Sequence, residues 1–213
     1  MQIIPLQPTH ARDAARLHIA GQPGTFLTSL GPQVLTVFYE SLPRSAGGLG
    51  FAAVDDAQML GFVSATTSVG RLFVELGTRR AGLFLPPLLA CFARQPSLML
   101  RSLETLFYPM VAARQSHRQG HSDGPTAELL SIMVEPHARS HGVGAHLMAA
   151  LTAECTRRQI ELLDVTVDKA NAGARRFYTR HGFSLMHDFT LYGRAMYQYQ
   201  LALKPHEKFR PAI

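Results

Sequence analysis

Apolar residues recur along this chain at two spacings, every second position and every third or fourth, and the spacing switches repeatedly. Gln2 to Leu6 reads as a short first strand. Thr9 then caps a helix reaching His18 or Ile19, with Ala11, Ala14, Ala15 and Ile19 near helical spacing. A second helix fits Pro32 to Leu42, with Pro32 in the first turn and Val34, Leu35 and Phe38 on one side. Pro43 and Gly47-Gly48 break that pattern. Leu49 to Val54 and Met59 to Thr67 follow as strand-like runs joined by Asp55-Asp56-Ala57-Gln58, a hairpin signal.

The stretch from about Gly70 to Pro125 differs. A short apolar helix is expected after Pro87. A longer one is carried by Met99, Leu103, Leu106, Phe107 and Met110, with Pro96 near its start. Ser116 to Gly124 is polar and reads as an exposed loop. The pattern then becomes regular. Glu128 to Val134 is a strand with Glu128, Leu130, Ile132 and Val134 on one face and Leu129, Ser131 and Met133 on the other. A helix opens at Gly142 and closes at Arg157-Arg158. Glu161 to Val167 is the next strand, Ala172 to about Arg180 a short helix stopped by Gly182. Phe183 to Leu191 and Arg194 to Leu203 are final strands joined at Tyr192-Gly193, and residues 204–213 form a loose tail.

Composition narrows the class. The 213 residues suit one domain with an insertion, and 46% hydrophobic against 17% charged residues allow a sizeable core. Net charge is +6 with the basic residues dispersed, which by itself describes a mildly basic enzyme surface. Nucleic-acid binding is not expected, because aromatic and basic residues are poorly interleaved. Cys91 and Cys155 are far apart and form no CxxC pair, so a reducing cytoplasm is the default location. No leader pattern and no apolar run of membrane-spanning length is visible, and no membrane partner is expected. The ten histidines lack ligand spacing with cysteine or acid partners, so no metal is expected.

Two segments carry chemistry. In Val134-Glu-Pro-His-Ala-Arg139-Ser-His-Gly142-Val-Gly144-Ala145 a strand ends, a loop crosses, and a helix starts on two glycines. Helix N-termini present unsatisfied N–H groups and partial positive charge, which suits phosphate, and glycines let the backbone approach an anion. A P-loop would need Lys-Ser or Lys-Thr after the second glycine, and none is there. A dinucleotide fold would use Asp164 as the ribose acid, but Leu147 stands where its third glycine belongs, and the turn is too long. The second segment is Asn171-Ala-Gly-Ala174-Arg-Arg-Phe-Tyr178-Thr-Arg-His-Gly182-Phe183. Ala174 and Tyr178, four apart, share a helix face. Taken alone, Tyr178 could be a packed core aromatic and Asn171 a helix cap.

Together these segments closely resemble the two signatures of the GNAT acyl-CoA N-acyltransferase superfamily. Arg139, Gly142 and Gly144 match Arg/Gln-x-x-Gly-x-Gly/Ala after a strand ending in Val134-Glu135-Pro136. Asn171, Ala174, Tyr178, Gly182 and Phe183 match the second at every position. The resemblance implies an α/β (α+β) fold over residues 1–213. It has a mixed, mostly antiparallel central sheet flanked by helices and two splayed parallel strands, the fourth and fifth. The departure is a helical insertion at about 70–125 between the third and fourth strands. A connection that long is usually functional or part of an interface; a homodimer through it is one expectation, though packing on the sheet explains its apolar stripe more simply.

The implied reaction moves an acetyl group from acetyl-CoA, a co-substrate, to a primary amine of a small molecule or a protein. Backbone groups of Ile132, Met133 and Val134 would hold the pantetheine arm and the thioester. Ser140, His141, Gly142, Val143, Gly144 and Ala145 would hold the pyrophosphate beside Arg139, and Asn171, Ala174 and Tyr178 would complete the cofactor site. Tyr178 is the expected general acid and Glu128 the expected base, ahead of Glu75 and His117; a solvated strand-end carboxylate is the plain alternative for Glu128. A non-catalytic CoA-binding protein, or an O-acyl or longer-acyl transferase on the same fold, remains open at this point.

Overall fold

The computed structural model describes residues 1–56, 58–96, 124–191 and 193–203. The expected helix over Met99 to Met110, nearly all of the Ser116 to Gly124 loop, His117, Tyr192 and the 204–213 tail lie outside the described residues.

Seven strands and seven α-helices make up the described chain. In order they are β1 (Gln2–Pro5), α1 (Ala11–Gly21), α2 (Phe26–Ser29), α3 (Gly31–Ser41), β2 (Gly48–Asp55), β3 (Gln58–Thr66), α4 (Val69–Arg79), α5 (Ala81–Arg94), β4 (Thr126–Val134), α6 (Val143–Arg157), β5 (Leu162–Asp168), α7 (Ala172–Arg180), β6 (Ser184–Leu191) and β7 (Arg194–Ala202). The strands form one sheet in the order β1-β2-β3-β4-β5-β7-β6. Every neighbouring pair is antiparallel except β4 with β5.

Strand alternation feeds two cores. Ala52, Met59 and Phe62 face a layer built by α1, α3, α4 and α5, where Ala14, Leu17, Leu35, Leu72 and Leu76 are buried. Ala53, Val63 and Ala65 face the opposite layer, where Val143, Leu147, Leu151 and Cys155 form the apolar stripe of α6. Leu147 and Leu151 are fully buried, so truncating either to alanine is expected to cost about 2–5 kcal/mol.

Local signals explain where the elements depart from the sequence reading. Thr9 does not cap α1. Pro8, with its fixed φ, opens a 3₁₀ turn over Pro8–His10, closed by the Gln7 amide donating to His10 Nδ1 at 3.1 Å, and α1 starts only at Ala11. The short α2, capped by the Thr25 side chain, was not anticipated, nor was α4, whose Ser68 hydroxyl accepts from the Arg71 amide at 3.3 Å. The apolar helix near Pro87 does not follow that residue but runs through it, from Ala81 to Arg94. Pro86 and Pro87 deprive the Gly82 and Leu83 carbonyls of helical donors. Both residues are exposed, so water can serve those carbonyls.

Candidate active site

The site begins where two parallel strands stop pairing. β4 and β5 run in register from Thr126↔Leu162 to Leu129↔Val165, and their ladder ends there. Beyond it β4 stays with β3, while Thr166, Val167 and Asp168 stay with β7. The cause is visible in the β3 ladder. Ser64 pairs with Ser131 but Ala65 with Leu129, so Leu130 is an extra residue, a bulge that bends β4 away from β5.

The bulge also re-sorts the faces. Ala127, Leu129, Ile132 and Val134 belong to the α6 side, whereas Leu130 and Met133 pack on the α1–α3 side. Glu128 therefore does not share a face with Ile132 and Val134, as simple alternation predicted. It looks to the α1–α3 side with Leu130. The Glu135 amide donates to Leu60 of β3 at 2.8 Å, so by alternation Met133 also directs its backbone groups at β3. Ile132 and Val134 then direct theirs toward the opened gap. The Met133 side chain fills the space beside Gly21 of α1.

A cavity of about 500 Å³ occupies the gap. It is lined from β4 by Glu128, Leu129 and Leu130, from β5 by Thr166, Val167 and Asp168, and from α7 by Asn171, Ala174 and Tyr178. The loop before α2, Phe38 of α3, the start of α4 and the β6–β7 hairpin close it. Four sequence-predicted residues, Glu128, Asn171, Ala174 and Tyr178, thus come together here. Burial, reinforced by the like charge of Asp164 alongside, raises Glu128 to a pKa of about 7. Burial also pushes the Tyr178 hydroxyl above its ordinary value. Its ring is held edge-on between Phe177 and Phe183, with centroids 5.5 and 5.2 Å away. Asn171 caps α7, accepting from the Ala174 amide at 3.0 Å. Asp168 is neutralised by Arg194 at 2.6 Å.

The glycine segment lies beside the gap, outside that lining. Gly142 sits at φ +78° and is the cap residue of α6, a conformation that favours glycine; Ser140 also has positive φ, +65°. The first intrahelical bond there is from the His146 amide to the Gly142 carbonyl at 3.0 Å, so the Val143, Gly144 and Ala145 amides have no acceptor within the helix. Arg139 and His141 are exposed next to them; Arg139 Nε donates to the Val134 carbonyl at 3.2 Å, and His141 Nδ1 lies 2.8 Å from the Arg139 carbonyl. Gly144 has a packing role as well. A Cβ there would stand 3.2 Å from the Phe177 ring of α7. These groups suit a diphosphate: free amides at a helix start with the Arg139 guanidinium beside them.

Sequence reading missed the polar cluster behind the bulge. His18, Tyr39 and Ser131 are fully buried or nearly so. His18 Nδ1 lies 2.6 Å from the Tyr39 hydroxyl, which lies 3.2 Å from Ser131 Oγ; that hydroxyl reaches the Leu130 carbonyl at 2.7 Å. A signal existed, since His18 continues the buried stripe of Ala11, Ala14 and Ala15. The apolar wall of Phe38, Val69, Leu72 and Phe73 was missed too. A more open groove of about 1040 Å³ between α1, α3 and α5 is larger, but it holds none of the predicted site residues. Among the described residues no His/Cys/Asp/Glu group could hold a metal, and no helix is long and apolar enough to cross a membrane.

Comparison with known proteins follows the same lines. The model of the acetyltransferase (GNAT) family matches residues 105–183. Curated protein sequences give no match. Among solved structures, a GNAT-family protein from Desulfovibrio desulfuricans is 18% identical, covering 95% of this chain and 99% of its own, with a TM-score of 0.60. An aminoglycoside 6'-N-acetyltransferase complexed with coenzyme A is 12% identical over 98% and 100% of the two chains, at a TM-score of 0.61. A Salmonella typhimurium protein solved with acetyl-CoA as its cofactor is 13% identical over 99% and 98%, at 0.59. At such identities the structures establish a shared fold.

Proposed function

We propose that this chain, whose residues 105–183 match the model of the acetyltransferase (GNAT) family, is a member of that family and an acetyl-CoA-dependent N-acetyltransferase acting on a primary amine by direct attack. The observation that carries this reading is the cavity in the β4–β5 gap. It sets a raised carboxyl, Glu128, and a protonated phenol, Tyr178, in one chamber beside an amide-rich helix start.

Acetyl-CoA would supply an acetyl group on a thioester whose carbonyl carbon accepts the amine nitrogen as the C–S bond breaks. The amides of Val143, Gly144 and Ala145, with Ser140, His141 and Gly142 of the same turn and Arg139, hold its diphosphate. Ile132 and Val134 offer backbone groups to the arm, and a β4 amide near Val134 stabilises charge developing on the carbonyl oxygen. Asn171 and Ala174 shape the α7 wall.

Glu128 handles the first proton. An alkylammonium has a pKa of about 10 and no lone pair until it is deprotonated. Glu128, ionised above about pH 7, accepts that proton directly or through water and releases it to solvent. Tyr178 gives its hydroxyl proton to the departing thiolate. It regains one from the nitrogen, which loses its second proton as the amide forms. The balance is one acetamide, one thiol and one proton to solvent per ammonium consumed.

The test is calorimetric titration with acetyl-CoA followed by thiol release with a panel of amines and mass detection of the product. Binding with amine-dependent acetylation supports the reading. No affinity for CoA or its thioesters overturns it, and binding without turnover on any amine would leave a non-catalytic CoA-binding protein.

A further inference from the structure

We infer that the acceptor is a small monoamine on an apolar skeleton, an alkyl or aralkyl amine, and that α4 of the insertion is the wall that selects it. This rests on the acetyl-transfer reading of the same cavity.

The chamber has two chemically different ends. Toward α7 it holds Asn171, Ala174 and Tyr178. Toward α4 it is walled by Phe38, Val69, Leu72, Phe73 and Leu130. Three of these five come from α4, which lies in the connection between β3 and β4. An amine seated between Glu128 and the thioester would lay its substituent against that wall.

Several polar groups of the lining are already engaged. Asp168 is paired with Arg194 at 2.6 Å and accepts from the Ala170 amide at 2.7 Å. Thr166 donates to Gln198 at 3.0 Å, Thr25 to the Gln22 carbonyl at 3.1 Å, and Asn171 caps its helix. Among the described residues Glu128 is the one lining carboxyl outside an ion pair. One carboxyl serves one ammonium. A polyamine or an aminoglycoside would have to place further ammonium groups against Leu72 and Phe73, where unpaired charge is costly. A peptide would bring backbone amides to a wall with few free partners. A free amino acid would bring its carboxylate beside Glu128, with the cation of Arg194 already taken.

The test uses the full chain with acetyl-CoA and compares kcat/KM for 2-phenylethylamine and hexylamine with 1,5-diaminopentane, spermidine, kanamycin, glycine and a peptide with an apolar first residue. The apolar monoamines are expected to lead by at least tenfold. Val69→Asp puts a second carboxylate outside an ion pair in the lining, at the first position of α4, where a negative charge suits the helix. It is expected to lower kcat/KM for 2-phenylethylamine at least tenfold, mainly through KM, and to raise that for 1,5-diaminopentane. Acetyl-CoA affinity should stay within twofold. Phe73→Leu, which keeps the wall apolar, should retain the preference for monoamines over diamines. The inference is overturned if polyamines, kanamycin or the peptide lead, if Val69→Asp leaves the ranking unchanged, or if no amine reacts although acetyl-CoA binds. Absence of acetyl-CoA binding instead removes the reading beneath it.

Discussion

His18 Nδ1 and the Tyr39 hydroxyl meet at 2.6 Å in a place where neither residue is reached by solvent. One set of directions connects the whole cluster. His18 Nδ1–H donates to Tyr39, Tyr39 O–H to Ser131 Oγ, and Ser131 O–H to the Leu130 carbonyl. It leaves His18 Nε2, which is buried and unpartnered, as a bare acceptor rather than a stranded N–H. The chain of donors ends on the residue that makes the β4 bulge. Helices α1 and α3 are thereby tied to the kink that parts β4 from β5.

Tyr39→Phe should therefore cost about 1–3 kcal/mol, the range for leaving a buried polar partner unsatisfied, read from urea unfolding at pH 7.5. A loss no larger than that of a surface substitution would show that the cluster does not hold the bulge. Burial also depresses His18 to a pKa of about 4. Its folded value lies below its unfolded one near 6.5, so its contribution is present above pH 6.5 and lost as pH falls through 4.

Glu128 has the opposite sign. Its folded pKa of about 7 exceeds the ordinary carboxyl value of 4.5, so its contribution is present below pH 4.5 and lost as pH rises through 7. Each shift corresponds to about 3 kcal/mol at most. Between pH 4.5 and 6.5 the two slopes oppose each other, and stability should change little from these groups. Glu128→Gln removes one slope. The variant should gain stability relative to the native chain as pH rises from 5 to 8, measured by urea unfolding at each pH. The same substitution should abolish a rise in kcat/KM centred near pH 7; an unaltered pH–rate profile would exclude Glu128 as the base.

Much of this architecture was legible in the sequence because the informative residues are local. Val134-Glu135-Pro136, the glycines at 142 and 144, and the Asn171 to Phe183 run each specify a strand end, a helix start or a helix stop within a dozen residues. The bulge was not legible. Leu130 satisfies simple alternation as well as its neighbours do, and only the β3 register at Ser64 and Ala65 exposes it. That one residue decides which way Glu128 looks. The apolar wall was hidden for a different reason: Phe38, Leu72 and Leu130 are distant in sequence and meet only when the chain folds. The resemblance could not supply it either, because α4 lies in the connection between β3 and β4, outside the two matched signatures.

The two glycines of the helix start should separate in their effects. Gly142 is held at φ +78°, so Gly142→Ala forces a side chain into left-handed backbone at a cost of about 1–2 kcal/mol or turns the first amides of α6. Acetyl-CoA affinity should fall about tenfold, the equivalent of 1.4 kcal/mol. Gly144 has no such φ, and its added Cβ would stand 3.2 Å from the Phe177 ring, a contact relieved if the ring gives by a few tenths of an ångström. Gly144→Ala should weaken binding less. Calorimetry with acetyl-CoA decides, and a larger loss for Gly144→Ala would move the anion site away from the Gly142 turn.

Tyr178 tests whether the chamber catalyses or only binds. Its ring is fixed between Phe177 and Phe183, so Tyr178→Phe keeps the packing and removes one hydroxyl. If that hydroxyl serves only as part of the wall, kcat and the acetyl-CoA Kd should both change less than twofold. If it protonates the thiolate, general-acid catalysis of the usual size predicts a loss of about 10²-fold or more in kcat. Affinity for acetyl-CoA would change little, because the proton is needed only as the C–S bond breaks. The raised pKa keeps the phenol protonated across the working range, so no alkaline limb from Tyr178 should appear below pH 9. A fall in affinity that matches the fall in turnover would instead assign Tyr178 to binding.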